Sequence, residues 1–236
     1  MIHTSFAIIW DMDGVLVDSA GLHYRAWRQT IQDELRRDMS EDDFNTTFGL
    51  RNSEMLRDYL GYELSEDAVN RLADRKEALY RDLIHTHGLT LLPGVLAWLK
   101  QAHTAGWRQA VASSAPRANV EAVVDAVAIR RYFSAMISAE DVHKGKPDPE
   151  VFLAAARKVD VTPGNCIVIE DAPFGILGAR QAGMRCIGVL TTHPSLDADI
   201  VINCLEDIRF EYAADLVSKP RNATTLQLNS AHKGDI

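Results

Sequence analysis

Cysteine is scarce in this chain. Its three, Cys166, Cys186 and Cys204, lie far apart in apolar segments, with no Cys-x-x-Cys pair. The N-terminus has no basic region ahead of a long apolar stretch. Together these features predict reduced thiols in the cytoplasm rather than secretion. Long apolar runs are also missing: none approaches the roughly 20 residues needed to cross a bilayer, so no membrane partner is expected. Positive charge is short as well, with 25 Lys and Arg against 33 Asp and Glu, a net charge of -8. A nucleic-acid surface needs a basic stripe and is not expected here, although a local basic pocket remains open. No internal repeat is found. What is present is 47% hydrophobic and 25% charged residues over 236 positions. That suffices for a real core, in one large domain or two small ones.

The chain is organised around Phe6 to Ser19, FAIIWDMDGVLVDS. Phe6 to Trp10 carries no polar side chain and is rich in β-branched and aromatic residues, which predicts a strand buried on both faces of a parallel sheet. Asp11 and Asp13 fall where that strand ends, the edge at which open α/β sheets bind ligands. Met12 should point away from them, and Gly14 permits a sharp turn. Crowded carboxylates repel, and a hard divalent cation such as Mg²⁺ would hold both ionised. Taken alone, Asp-x-Asp-Gly is equally an ordinary turn.

From about residue 19 to residue 88 the periodicity predicts helices only. Ala20, Tyr24, Trp27, Ile31 and Leu35 form one stripe, Ser40 with Asp43 resembles a capping box, and Asn52 or Ser53 opens a further helix. Ser65 opens a long one striped by Val69, Leu72, Leu79, Tyr80 and Leu83. Pro93-Gly94 begins a different regime, with strands at Gln109–Ala112, Ala135–Ser138, Cys166–Ile169, Arg185–Val189 and Asp199–Ile202 alternating with helices. That pattern predicts an α/β fold, a Rossmann-like parallel sheet with helices on both faces. The expected organisation is a core of residues 1–18 and 89–218, an inserted helical cap of 19–88, and a disordered tail of 219–236. A helical insertion directly after Asp-x-Asp would act as a lid.

Three more strand–loop junctions carry polar groups. Ser113 precedes a helix, where a hydroxyl and free N–H groups make an anion site or simply a helix cap. Lys146 sits in KGKPDPE, a loop stiffened by Gly and two prolines. Glu170-Asp171 follows an apolar strand directly. Gathered at one edge, Asp-x-Asp, Ser, Lys and Glu-Asp would surround one point with a carboxylate-bound cation, an ammonium and hydroxyl donors. Such a set suits a phosphoryl group.

In DMDGVLVDS, VASS, KGKPDPE and IEDAPFGILGA the chain resembles the haloacid dehalogenase superfamily of phosphohydrolases, in the branch with a helical cap after the first motif. AGLHYRAW, LADRKEALY and LLPGV are similar to its β-phosphoglucomutase-like group. The resemblance covers about residues 5 to 215. It implies Asp11 as the nucleophile that becomes an aspartyl phosphate and Asp13 as general acid, then base. It implies Ser113 and Lys146 on the phosphoryl oxygens. Mg²⁺ would be held by Asp11, the Asp13 main-chain carbonyl and Asp171, with Glu170 as ligand or beside it. His23, Arg51, Asn52 and Lys76 in the cap, with Ser114 and Arg117, become substrate-binding candidates.

Mutases of the group carry a Ser-Lys-Asn type stretch after the second-motif serine. This chain has Ala115-Pro116-Arg117, and Pro116 offers neither a cation nor an N–H. Arg51 stands one place from the mutase arginine. A Mg²⁺-dependent phosphatase of a small phosphorylated metabolite, with a sugar phosphate foremost, is therefore expected. β-Phosphoglucomutase is the alternative, with Arg117 as the substitute cation. A non-catalytic metabolite-binding protein on the same fold is the remote third reading. The expected state is a monomer or weak homodimer.

Overall fold

The computed structural model describes residues 5–47, 52–218 and the backbone of Leu226–Gln227. The chain forms two compact units, Met1–Asp18 with Thr90–Ile236, and Ser19–Leu89.

Strand β1 (Ala7–Trp10) opens the first unit, and every residue of it is fully buried. Burying an Ile side chain completely is worth about 1.5–3 kcal/mol. This apolar run therefore has nowhere better to sit than the middle of a sheet.

The second unit is helical. It comprises α1 (Ala20–Leu35), α2 (Glu41–Thr47), α3 (Asn52–Leu60) and α4 (Glu66–His87). The expected Ser40–Asp43 box is formed: the Ser40 N–H donates to Asp43 Oδ2 at 3.0 Å and the Asp43 N–H to Ser40 Oγ at 3.1 Å. Ser65 caps α4 by accepting from the Ala68 N–H at 3.3 Å. Ser19, by contrast, stands before α1 without a side-chain cap bond. The apolar faces of α1, α3 and α4 meet in one cluster around Trp27, Ile31, Met55, Leu56 and Leu72.

The chain then returns to the first unit with α5 (Val95–Thr104), β2 (Arg108–Ala112), α6 (Arg117–Ala126), β3 (Ala135–Ile137) and α7 (Glu150–Lys158). It continues with β4 (Cys166–Glu170), α8 (Pro173–Gln181), β5 (Arg185–Val189), β6 (Ile200–Ile202) and α9 (Glu211–Ser218). Leu226–Gln227 adds β7, so the structure places two residues of the expected disordered tail on the sheet beside β6. The remainder of that tail lies outside the described residues.

The sheet runs β3-β2-β1-β4-β5-β6-β7, and every pairing is parallel. Alternate residues face opposite ways. Ala7 and Ile9 of β1 pack in one cluster with Val168 of β4, Phe152 and Ala155 of α7 and Ile176 of α8. Gln109, on β2, accepts from the Trp10 indole N–H at 3.1 Å and donates to the Leu99 carbonyl of α5 at 3.0 Å. Helices thus cover both faces. Strand order reverses around β1, whose neighbours β2 and β4 come from opposite directions of the chain walk. Such a switch point opens a crevice at the carboxyl ends of the strands. The three cysteines are free thiols, two of them buried. Among the described residues no helix is long and apolar enough to cross a membrane.

Candidate active site

Register decides which residues meet. Trp10 lies opposite both Val111 and Ile169. Asp11 continues the ladder one step further, its N–H donating to the Ile169 carbonyl at 3.0 Å, and the Ser113 N–H does the same to Ile137 at 3.0 Å. Asp11, Ser113 and Glu170 therefore emerge side by side at the carboxyl edge of the sheet. After Asp11 the chain turns tightly, with the Leu16 N–H bonded to the Met12 carbonyl at 2.9 Å and the Gly14 N–H to Val17 at 2.9 Å. Met12 is fully buried while Asp13 is half-buried, so the two alternate in environment.

Lys146 joins the cluster from the loop before α7. That loop is pinned: the His143 and Lys144 N–H groups donate to Glu150 Oε2 at 3.0 and 2.9 Å, and the Asp148 N–H to Gly145 at 3.0 Å. From this base the Lys146 ammonium lies 2.5 Å from Asp11 Oδ1 and 2.6 Å from Glu170 Oε1, above the Phe152 ring. Glu170 uses its other oxygen to accept the Asp171 and Ala172 N–H groups at 2.8 and 2.7 Å, just ahead of α8. A carboxylate is favoured at a helix N-terminus.

Asp171 is oriented by residues beyond β5. Thr192 Oγ1 lies 2.6 Å from Asp171 Oδ2 and donates there, and it is 3.1 Å from the Asp171 carbonyl. The neighbouring Thr191 hydroxyl donates to the Gly14 carbonyl. Thr191 and Thr192 thus tie the Asp11–Gly14 turn to the Asp171 loop. Neither was singled out in the sequence. They stand at the fifth strand–loop junction, where the logic that flagged the other four also applied.

Two glycines leave room for this arrangement. A Cβ on Gly14, whose φ is +78°, would collide with Asp171 Oδ2, and one on Gly175 would collide with Glu170 Oε1. The carboxylates of Asp11, Glu170 and Asp171 offer oxygens within 4.8 Å of one another. Three carboxylates against the one ammonium leave two negative charges to balance. Hard oxygen donors with that deficit fit Mg²⁺. The Asp13 side chain is not part of this triad.

The electrostatics agree. Burial pushes the Asp11 pKa well above the ordinary carboxylate value; Lys146 opposes, and Glu170 and Asp171 add to the rise. Burial, then Glu170, raises Asp171 to about 7 despite the Thr192 hydrogen bond. Lys146 is different: burial works against its charge, but Asp11 and Glu170 outweigh burial and raise its pKa. It stays an ammonium.

The other candidates have their own surroundings. Ser113 is buried, and its Oγ accepts the Ala115 N–H at 3.0 Å, closing a turn ahead of the α6 start rather than capping the helix. Ser114 is exposed. Arg117 is engaged: its guanidinium meets both oxygens of Asp141 at 2.5 Å, and its N–H donates to Glu140. In the helical unit His23 stacks on Tyr80 at 3.9 Å between centroids. Lys76, only 4% exposed, pairs with Glu77 at 2.9 Å, with the Trp27 and Tyr80 rings each 5.5 Å from its ammonium. Asn52 is half-buried at the start of α3. Arg51 lies outside the described residues.

A parallel α/β core with acids and one buried lysine at its switch-point edge defines a class, the α/β enzymes that handle phosphoric monoesters. Comparison with known proteins narrows it. A family model described as "Haloacid dehalogenase-like hydrolase" matches residues 8–189. The chain belongs to the haloacid dehalogenase-like hydrolases. It is 35% identical over 216 residues to a β-phosphoglucomutase of Bacillus subtilis, covering 87% of this chain and 92% of that one. It is 29% identical over 206 residues to hexitol phosphatase A of Escherichia coli, covering 85% and 91%. Among solved structures, a β-phosphoglucomutase of Clostridium difficile superimposes with a TM-score of 0.77 at 29% identity, covering 91% and 97%.

Proposed function

We propose that this protein is a Mg²⁺-dependent phosphatase of a small phosphorylated metabolite, a sugar phosphate, working through an aspartyl phosphate on Asp11. The observation that carries the reading is the Lys146 ammonium shared by Asp11 and Glu170 at the carboxyl edge of the sheet. In this reading Asp11 attacks phosphorus and the ester oxygen leaves with a proton from Asp13. Asp13 then takes a proton from water, which displaces phosphate from Asp11 and restores its carboxylate. Lys146 opposes the effect of burial on Asp11, favouring the anion the attack requires, and with Ser113 offers donors to the transferring oxygens. Asp11, Asp171, Glu170 and the Asp13 carbonyl are the proposed Mg²⁺ holders. When bound, the ion supplies positive charge against the phosphoryl oxygens.

A mutase is the second reading, favoured by the 35% identity to the Bacillus subtilis enzyme. Against it, Pro116 has no N–H to give, and the Arg117 Nη2 is already paired with Asp141. A bisphosphate intermediate retained without a firm distal grip would be lost to water. The roles of His23, Arg51, Asn52, Lys76 and Ser114 toward substrate rest on the family resemblance.

The test is a panel of hexose, pentose and small alcohol phosphates with Mg²⁺. Released phosphate should exceed conversion of β-glucose 1-phosphate to glucose 6-phosphate; the opposite ratio establishes the mutase. Asp11→Asn should abolish turnover, and near wild-type activity in that variant would overturn the nucleophile assignment.

A further inference from the structure

One cluster of charge in the core unit takes no part in this site. Lys100, His103 and Thr104 at the end of α5 line an open surface cavity of about 400 Å³ together with Arg131 and Tyr132, the last two on a short 3-10 turn; all but Tyr132 are exposed. No carboxylate lines it, and among the described residues none pairs with Lys100, His103 or Arg131. That is unusual company in a chain of net charge -8. Several other arginines of the core unit do find acids: Arg117 has Asp141, Arg130 has Asp125, Arg180 has Asp197 and Arg185 has Asp199.

Arg131 is instead oriented by its neighbour. Its guanidinium carbon lies 5.0 Å from the Tyr132 ring centroid, and its Nη2 donates to the Tyr132 hydroxyl at 3.1 Å. The His103 ring meets the same tyrosine edge-on at 5.9 Å. A guanidinium held this way keeps further N–H groups in a fixed fork, the geometry that matches phosphate oxygens. The dipole at the end of α5 accounts for Lys100 and His103 on its last turns. It does not account for Arg131, which comes from a different element.

Topology separates this cavity from the reaction centre. Thr104 lies just ahead of β2 and Tyr132 just ahead of β3, so the cavity is at the amino ends of those strands. The acidic cluster sits at the carboxyl ends, and the five residues of β2 span about 16 Å. We propose that the α5–3-10 cavity is a second, non-catalytic binding site for a phosphate dianion, either inorganic phosphate or the phosphate group of a monoester.

The test is an amide-resolved NMR titration of the full-length protein with inorganic phosphate and, separately, with ethylphosphonate, an unhydrolysable stand-in for a monoester. Sodium chloride at matched ionic strength is the control. Phosphate should move the amides of residues 100–104 and 130–132 saturably, beyond the control. Arg131→Ala should weaken that response about tenfold while leaving the Ser113 and Lys146 responses as in the wild type. Lys100→Gln should weaken the same set. Binding of ethylphosphonate as tight as phosphate or tighter identifies a monoester as the occupant; weaker binding identifies free phosphate. Shifts matched by chloride, or unchanged in both variants, overturn the proposal.

Discussion

Lys146→Met tests whether one ammonium holds the acidic edge together. Its side chain is 11% exposed and bridges Asp11, 11% exposed, and Glu170, 1% exposed. Methionine fills a similar volume but carries no charge. Truncating one partner of a buried ion pair typically costs about 3–5 kcal/mol, because the remaining charge stays buried without compensation. Glu170 retains the Asp171 and Ala172 N–H groups, so most of the loss should fall on Asp11. For a protein of this size the midpoint of thermal unfolding should drop by roughly 6–20 °C.

The pH dependence has a definite sign. Burial already holds Asp11 well above the ordinary carboxylate value, and loss of the ammonium pushes it further up. A carboxyl whose folded pKa exceeds its unfolded value near 4 binds more protons in the folded state across that window. Stability contributed by the protonated form is present at low pH and lost as pH rises. The deficit of Lys146→Met should therefore be small near pH 5 and large near pH 8, measured by urea denaturation with chelator present. Adding Asp11→Asn should recover a large part of it. A deficit below about 1 kcal/mol at pH 8, or a double variant no better than the single one, would refute the reasoning.

Thr192→Val keeps the side-chain shape but deletes the 2.6 Å bond to Asp171 Oδ2. Outer partners of metal ligands commonly carry about 10–100-fold in affinity, so titration calorimetry should show Mg²⁺ binding at least about tenfold weaker; unchanged affinity would show that Asp171 needs no such support. Gly175→Ala places a methyl group against the Glu170 carboxylate. It should cost about 1–3 kcal/mol in a urea melt, whereas Gly164→Ala, which faces open space, should lie within about 0.5 kcal/mol of wild type.

The acidic edge was legible because a parallel sheet leaves little choice. An apolar run followed at once by an acid has to deliver that acid to the carboxyl edge, and this holds for Asp11 after β1 and for Glu170 within β4. Lys146 stood out for a different reason, the stiffness of KGKPDPE, and hydrogen bonds to Glu150 and Gly145 pin that loop. Thr192 escaped notice because a threonine in a polar loop looks like surface; only the fold shows its hydroxyl 21 residues along the chain from the carboxylate it orients. Lys76 is a substrate-binding candidate by resemblance, and its surroundings were not legible. Its burial comes from Trp27 on α1 and Tyr80 one turn along α4, a pairing that single-helix periodicity does not contain.

Arg117 shows what a local sequence pattern leaves out. It was the one cation near the second motif able to replace the missing mutase lysine. Its partner Asp141 lies 24 residues away, beyond β3, and no local pattern links the two. Asp141 is committed as well, accepting the Ser138 N–H and hydroxyl at 2.9 and 2.8 Å. Freeing Arg117 for a second phosphate would leave the Asp141 carboxylate without its guanidinium. A phosphate would therefore have to compete with Asp141 for the Arg117 Nη2. In the phosphatase reading proposed above, this competition adds to the absence of a lysine at Pro116 in favouring water as the acceptor of the phosphoryl group.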